Sequence, residues 1–190
     1  MIFNDHYNLK DCHAFLSPSQ YHWVNYDTEK LAERYSNYKA KERGVELHDL
    51  ASRCIKNRVK LARSKMSLSQ FVNDAIGYKM ESEQILYYSD NCFGTADAIS
   101  FRKDRKTNRY LLRIHDLKTG VVPANMMQLM VYAALFCLEY GYSPEDIDIE
   151  LRIYQEEVPD ILNPDPLDVK GIMDTIVHHD SFLRELQQKG

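Results

Sequence analysis

Two apolar, β-prone runs, Phe93–Phe101 and Tyr110–Leu117, stand on either side of a polar stretch, Arg102–Arg109. This is the pattern of an antiparallel hairpin. It constrains the fold more than anything else in the chain, because a side-chain period of two fixes which residues can meet across it. Asp116 and Lys118 are two apart at the end of the second run, so both project from one face while Leu117 turns into packing on the other. In the first run, Asp97 falls among Phe93, Thr95, Ile99 and Phe101 on one face, where a lone acid is costly. Pairing of the runs brings Asp97 towards Asp116. Two carboxylates about 4 Å apart repel by roughly 4 kcal/mol at an effective dielectric near 20. Lys118 alone does not balance both acids; a divalent cation does.

Hard cations such as Mg²⁺ take one or two carboxylates plus waters and substrate phosphate oxygens. The pattern therefore suits phosphodiester chemistry, with Lys118 placed to orient a water and to offset charge on a phosphate. The plainer reading of Asp116 and Lys118 is a strand-end ion pair, worth ~0–1 kcal/mol when exposed.

Beyond Gly120 the spacing predicts a helix over about 124–140, on which Gln128 and Tyr132 lie one above the other at i and i+4. The succession Gly94-x-x-Asp97, Asp116-x-Lys118-Thr119-Gly120 and Gln128-x-x-x-Tyr132 resembles the RecB-like, exonuclease branch of the PD-(D/E)XK nuclease superfamily. Upstream, Gly44-Val45-Glu46-Leu47-His48 is similar to that branch's first motif, and Ser17-Pro18-Ser19 to its Ser-x-Ser opening. The four central motifs cover residues 44 to 132.

The resemblance implies an α/β, restriction-endonuclease-like fold: a small mixed sheet of about four strands flanked by helices, with an N-terminal helical portion supplying His48. It implies a Mg²⁺- or Mn²⁺-dependent deoxyribonuclease acting on single-stranded or flapped DNA ends, in repair, recombination or phage DNA processing. Asp97, Asp116 and the Leu117 carbonyl would ligate the metal, His48 would add a ligand, Lys118 would position the attacking water, and Gln128 and Tyr132 would face the substrate. From the residues alone, His48 is equally a boundary residue of an apolar helical stripe, and Tyr132 reads first as a packing residue. Two other readings keep the same fold: a catalytically idle nucleic-acid-binding or assembly subunit, and a structure-specific endonuclease.

Charge narrows the partners. A formal net charge of −4 excludes coating of nucleic acid by bulk electrostatics, so DNA contacts must be local. Two basic clusters are available: Lys56, Arg58, Lys60, Arg63 and Lys65 on a helix expected over about 45–64, and Arg102, Lys103, Arg105, Lys106 and Arg109 in the hairpin. Each is either a solvated face or a phosphate track. Recombination or replication proteins are further expected partners. The scattered Cys12, Cys54, Cys92 and Cys137 form no Cys-x-x-Cys pair, which suits free thiols in a reducing compartment. Within the resembled branch, the lack of any cysteine after Cys137 implies no iron–sulfur cluster.

The longest apolar run, Leu129–Leu138, is about half of what a membrane span needs, and a cytoplasmic protein is expected. The 190 residues read as one domain: a mainly helical portion over 1–80, the sheet and its helix over 84–154, and a closing helix over 168–188. Within the helical portion, Ser17-Pro18 predicts a short helix start, Asp27 opens a helix that Gly44 interrupts, and Ser67 begins another. Pro159–Pro166 reads as a loop, and His178-His179 as surface residues.

Overall fold

The computed structural model describes residues 14–104 and 107–189. The expected hairpin forms the middle of a five-stranded mixed sheet in the order β1 (Glu81–Ser89), β2 (Cys92–Lys103), β3 (Tyr110–Leu117), β4 (Ile147–Tyr154) and β5 (Asp160–Leu162). β1, β2 and β3 are successively antiparallel, β3 and β4 are parallel, and β5 returns antiparallel at the edge. A parallel pair requires a crossover, which α3 (Met127–Tyr140) supplies. The strand count of about four falls short by β5, whose three residues follow Pro159 inside the segment read as a loop. Proline is tolerated beside so short an edge strand, since no interior ladder bond is lost.

Each sheet face carries its own apolar layer. α3 and α4 (Pro166–Lys189) cover one, packing Leu129, Ala133, Phe136 and Val169 over Leu112, Ile114, Ile149 and Leu151. On the other, α2 (Ser67–Gly77) and the stretch 46–56 of α1 (Thr28–Lys56) pack Phe71, Val72, Ala51 and Ile55 against Ala98, Leu117 and Tyr154. No helix among the described residues is long and apolar enough to cross a membrane.

The chain divides into two compact units, one through Val45 and one from Glu46 onward. In the first, a 3-10 helix spans Pro18–Asn25, as Ser17-Pro18 predicts, and Trp23 Nε1 donates to the Ser17 carbonyl at 2.9 Å. The Ser17 and Ser19 hydroxyls of the Ser-x-Ser opening bond to each other at 2.8 Å. Cys12 lies outside the described residues, as do Arg105 and Lys106.

Two helix boundaries differ from expectation. α1 begins under an Asp27 cap, with Lys30 N donating to Oδ1 at 2.8 Å, but it runs unbroken through Gly44. Glycine inside a helix costs only ~1 kcal/mol relative to alanine, which packing overrides. α1 then stops at Lys56 rather than Ser64: Arg58 adopts φ +57°, and the amides of Arg58 and Val59 close onto the carbonyls of Ile55 and Cys54. That paired closure is a left-handed helix stop. Arg58, Lys60, Arg63 and Lys65 therefore sit on a loop, not along a helix face.

Candidate functional site

The site forms where three strands come out of step. The last pair between β2 and β3 is Ala98 with His115, so one step further along both strands sets Asp97 opposite Asp116. Between β1 and β2, Ser82 pairs with Ala98 and Gln84 with Ala96, which sets Glu83 opposite Asp97. Glu83, Asp97 and Asp116 thus occupy one row across three strands. Glu83 has φ +56°, a conformation that L-residues adopt at a cost of order 1–3 kcal/mol. Opposite it, Ala96 and Ile99 both pack into the α3-facing layer although three residues apart, which a regular strand would send to opposite faces. The alternation of β2 is broken at Asp97. Only Ile99 and Phe101 of the four expected companions lie in that layer; Phe93 and Thr95 are exposed.

Asp97 fills the gap left in the ladder. Its Oδ2 accepts the Leu117 amide at 2.9 Å and lies 3.2 Å from His48 Nδ1 on α1. His48 is half-buried, and its hydrogen bond to Asp97 raises its pKa despite partial desolvation. Asp116 is 4% exposed. Burial, and then the charge of Asp97, push its carboxyl up to about 6, against the opposing pull of Lys118. Glu83 is raised too, by desolvation first and Asp97 second.

Lys118 leaves the end of β3 and turns its Nζ back to Asp116, 3.1 Å from Oδ1 and 2.9 Å from Oδ2. The Oδ1 contact has the better hydrogen-bond alignment, and the buried Oδ2 lies beside the same ammonium. The same Nζ donates to Gln128 Oε1 at 2.9 Å. Asp116, Lys118 and Gln128 are therefore one connected group, and Asp97, Leu117 and His48 another, adjoining through the β3 backbone. Tyr132 stands apart from both. Its hydroxyl donates to the Thr95 carbonyl at 2.7 Å, and its ring packs on Gly94, where an added Cβ would come within 2.9 Å of a ring carbon. Gly94 is small because Tyr132 needs the space.

The loop from Lys118 to α3 is clasped by one side chain. Gln155, the first residue beyond β4, donates to the carbonyls of Gly120 at 2.6 Å and Val122 at 2.7 Å, and accepts the Ala124 amide at 2.9 Å. Lys118 N donates to the carbonyl of Tyr154, the last residue of β4, at 2.9 Å. Neither Gln155 nor Glu83 stands out in the sequence. The only signal for Gln155 is its place at the carboxyl end of a parallel strand, where ligand sites of α/β sheets gather.

Among the described residues, no three His, Cys, Asp or Glu side chains are already gathered in a metal cage. Comparisons with protein-family models, with curated proteins and with solved structures give no match.

The donors nonetheless suit a hard cation in kind. Two carboxylates stand opposite each other across β2 and β3, the oxygen donors that such a cation takes, and Asp116 is buried beside a single ammonium. A cation at Asp116 would take the place now held by the Lys118 ammonium, which has Gln128 to retain it.

Proposed function

We propose that the chain is a metal-dependent DNA nuclease that hydrolyses phosphodiester bonds, acting as an exonuclease on single-stranded or flapped ends. The observation carrying this reading is the facing of Asp97 and Asp116 at the point where β2 and β3 cease to pair. Burying Asp116 beside a second acid costs the sheet free energy, as its raised pKa reflects, and a cation would relieve that cost.

Asp97, Asp116 and the Leu117 carbonyl would hold Mg²⁺ or Mn²⁺, with His48 beside Asp97. The ion would neutralise the two acids and supply positive charge to a phosphate oxygen. Lys118, held between Asp116 and Gln128, orients a water for in-line attack and offsets charge on the phosphate as the leaving P–O bond breaks. His48 keeps the Asp97 carboxylate facing the Leu117 amide, and Gln155 holds the loop from which Lys118 projects.

The deciding experiment is digestion of end-labelled single-stranded, duplex and closed circular DNA with Mg²⁺ and Mn²⁺, wild type beside Asp116→Ala. Cleavage of linear but not circular DNA, lost in the variant and on chelation, is expected. Degradation that persists under chelation would remove the metal. The pairing of Lys118 with Asp116 favours the rival reading, because it neutralises Asp116 from within. DNA binding without turnover in either metal would establish that idle binding subunit.

A further inference from the structure

We infer that Lys60 and Arg63 form a phosphate track for the strand being cut. This inference rests on the nuclease reading and extends it to the path of the nucleic acid. A cleft of about 510 Å³ lies between the loop after α1 and the start of α2, lined among others by Lys60, Arg63, Ser64, Gln70, Asn73 and Asp74. Of the basic residues in this loop, Arg58 lies 3.5 Å from Glu81, and Lys65 pairs with Glu157 at 2.9 Å. Lys60 and Arg63 are exposed and form no ion pair among the described residues. The one acid lining the cleft, Asp74, is engaged by Arg152 at 3.4 Å and by the Tyr154 hydroxyl at 2.7 Å.

The loop carrying these cations is fixed. Asn73 clasps Leu61 twice, accepting its amide at 2.9 Å and donating to its carbonyl at 3.0 Å, and Ser69 Oγ donates to the Ala62 carbonyl at 2.5 Å. Gln70 Nε2 donates both to the Lys65 carbonyl and to that of Glu157, at 2.9 and 2.8 Å. Cations on a fixed backbone lose less entropy on meeting a phosphate than cations on a mobile one.

Placement ties the cleft to the site. Gln70 and Lys65 anchor to Glu157, three residues beyond Tyr154, whose carbonyl receives the Lys118 amide. Cleft and site are therefore at the same end of β3 and β4. In a chain of net charge −4, two unpaired cations there are the kind of local electrostatic contact that strand binding requires.

The test is anisotropy of a labelled single-stranded oligonucleotide in EDTA, across a salt series, for wild type, Lys60→Gln/Arg63→Gln and the surface control Lys170→Gln. Each single-strand phosphate contact contributes about 0.7 to the slope of log K against log salt, so the double variant should lose about 1.4, equally for every sequence. A slope unchanged in the double variant, or lowered as much in the control, overturns the track while leaving the nuclease reading standing. A wild type that binds no oligonucleotide even at low salt overturns both. Inorganic phosphate titrated alone at constant ionic strength should show no stoichiometric binding. If wild type takes it up and the double variant does not, the cleft serves a free anion and the strand assignment fails.

Discussion

Asp97 stands in for a β-ladder partner of Leu117: its Oδ2 accepts the Leu117 amide at 2.9 Å, beyond the last backbone pair between β2 and β3. One carboxylate thus satisfies a part-buried amide and supplies charge to the site. The two roles separate by substitution. Asp97→Ala should lose about 1–3 kcal/mol of stability by orphaning that amide. Asp97→Asn keeps an acceptor and should recover most of the loss in urea unfolding, yet cleave no DNA. Cleavage by the Asn variant would remove Asp97 from metal binding.

Asp116 should behave oppositely in stability. A carboxyl whose folded pKa is raised binds more protons folded than unfolded, so stability falls as pH rises from about 4 towards 6. In metal-free protein, Asp116→Asn should therefore be more stable than wild type at pH 7, by on the order of 2 kcal/mol, and no more stable below pH 4. Urea midpoints at the two pH values measure this, and a destabilised Asn variant at pH 7 would contradict it.

Removing the Lys118 ammonium should abolish cleavage with little change to the fold. Lys118→Ala should cost at least about 10²-fold in rate, as loss of one charge-stabilising donor does in other sites. Circular dichroism and single-turnover cleavage together test it; full activity in the variant would reduce Lys118 to an ion pair.

Gln155→Ala frees the loop from Gly120 to Ala124 and should speed proteolysis there, lowering cleavage about tenfold by displacing Lys118. Gln155→Glu retains the acceptor for Ala124 but loses both donors, so it should not rescue. Equal protease sensitivity in all three proteins would show that the clasp does not hold the loop.

Glu150 should govern acid stability on the other face of the sheet. Its carboxyl is held down to about 2 by the buried His115 ring, 3.9 Å away, and by the guanidiniums of Arg152 and Arg113, each at 3.0 Å. At 3.9 Å the His115 contact exceeds hydrogen-bond reach, so the two arginines carry most of the effect. A depressed carboxylate pKa gives stability that is present above the unfolded value near 4.5 and fades as pH falls towards 2. Glu150→Gln should lose on the order of 2 kcal/mol at pH 7 and progressively less as pH falls towards and below 2, read from denaturant midpoints.

What the sequence made legible follows from which signals are local. The hairpin, the α3 stop at Gly141 with φ +70°, and the Asp116-Leu117-Lys118 alternation are all set by neighbours along the chain. Gly141 announces its turn because glycine pays no steric cost there. Arg58 and Lys79 make the same kind of turn with φ +57° and +56° and announce nothing, so apolar spacing alone predicts α1 past its true end at Lys56. Glu83 was missed for a related reason: its place in the acid row depends on strand register and on a kink that no residue type marks. The companions assigned to Asp97 failed at Phe93 and Thr95 because a strict period of two was carried through a break.

The kink at Glu83 also bears on how copies of the chain meet in concentrated solution. β1 borders the sheet and shows Ile85 and Tyr87 to solvent, the profile of a ribbon that recruits a neighbour and seeds fibrils. The bend shortens the straight stretch open to a newcomer. Beyond it, the outward amide of Tyr87 is already taken by the Glu139 carboxylate at 2.8 Å, leaving a negative charge where an incoming strand would have to zip.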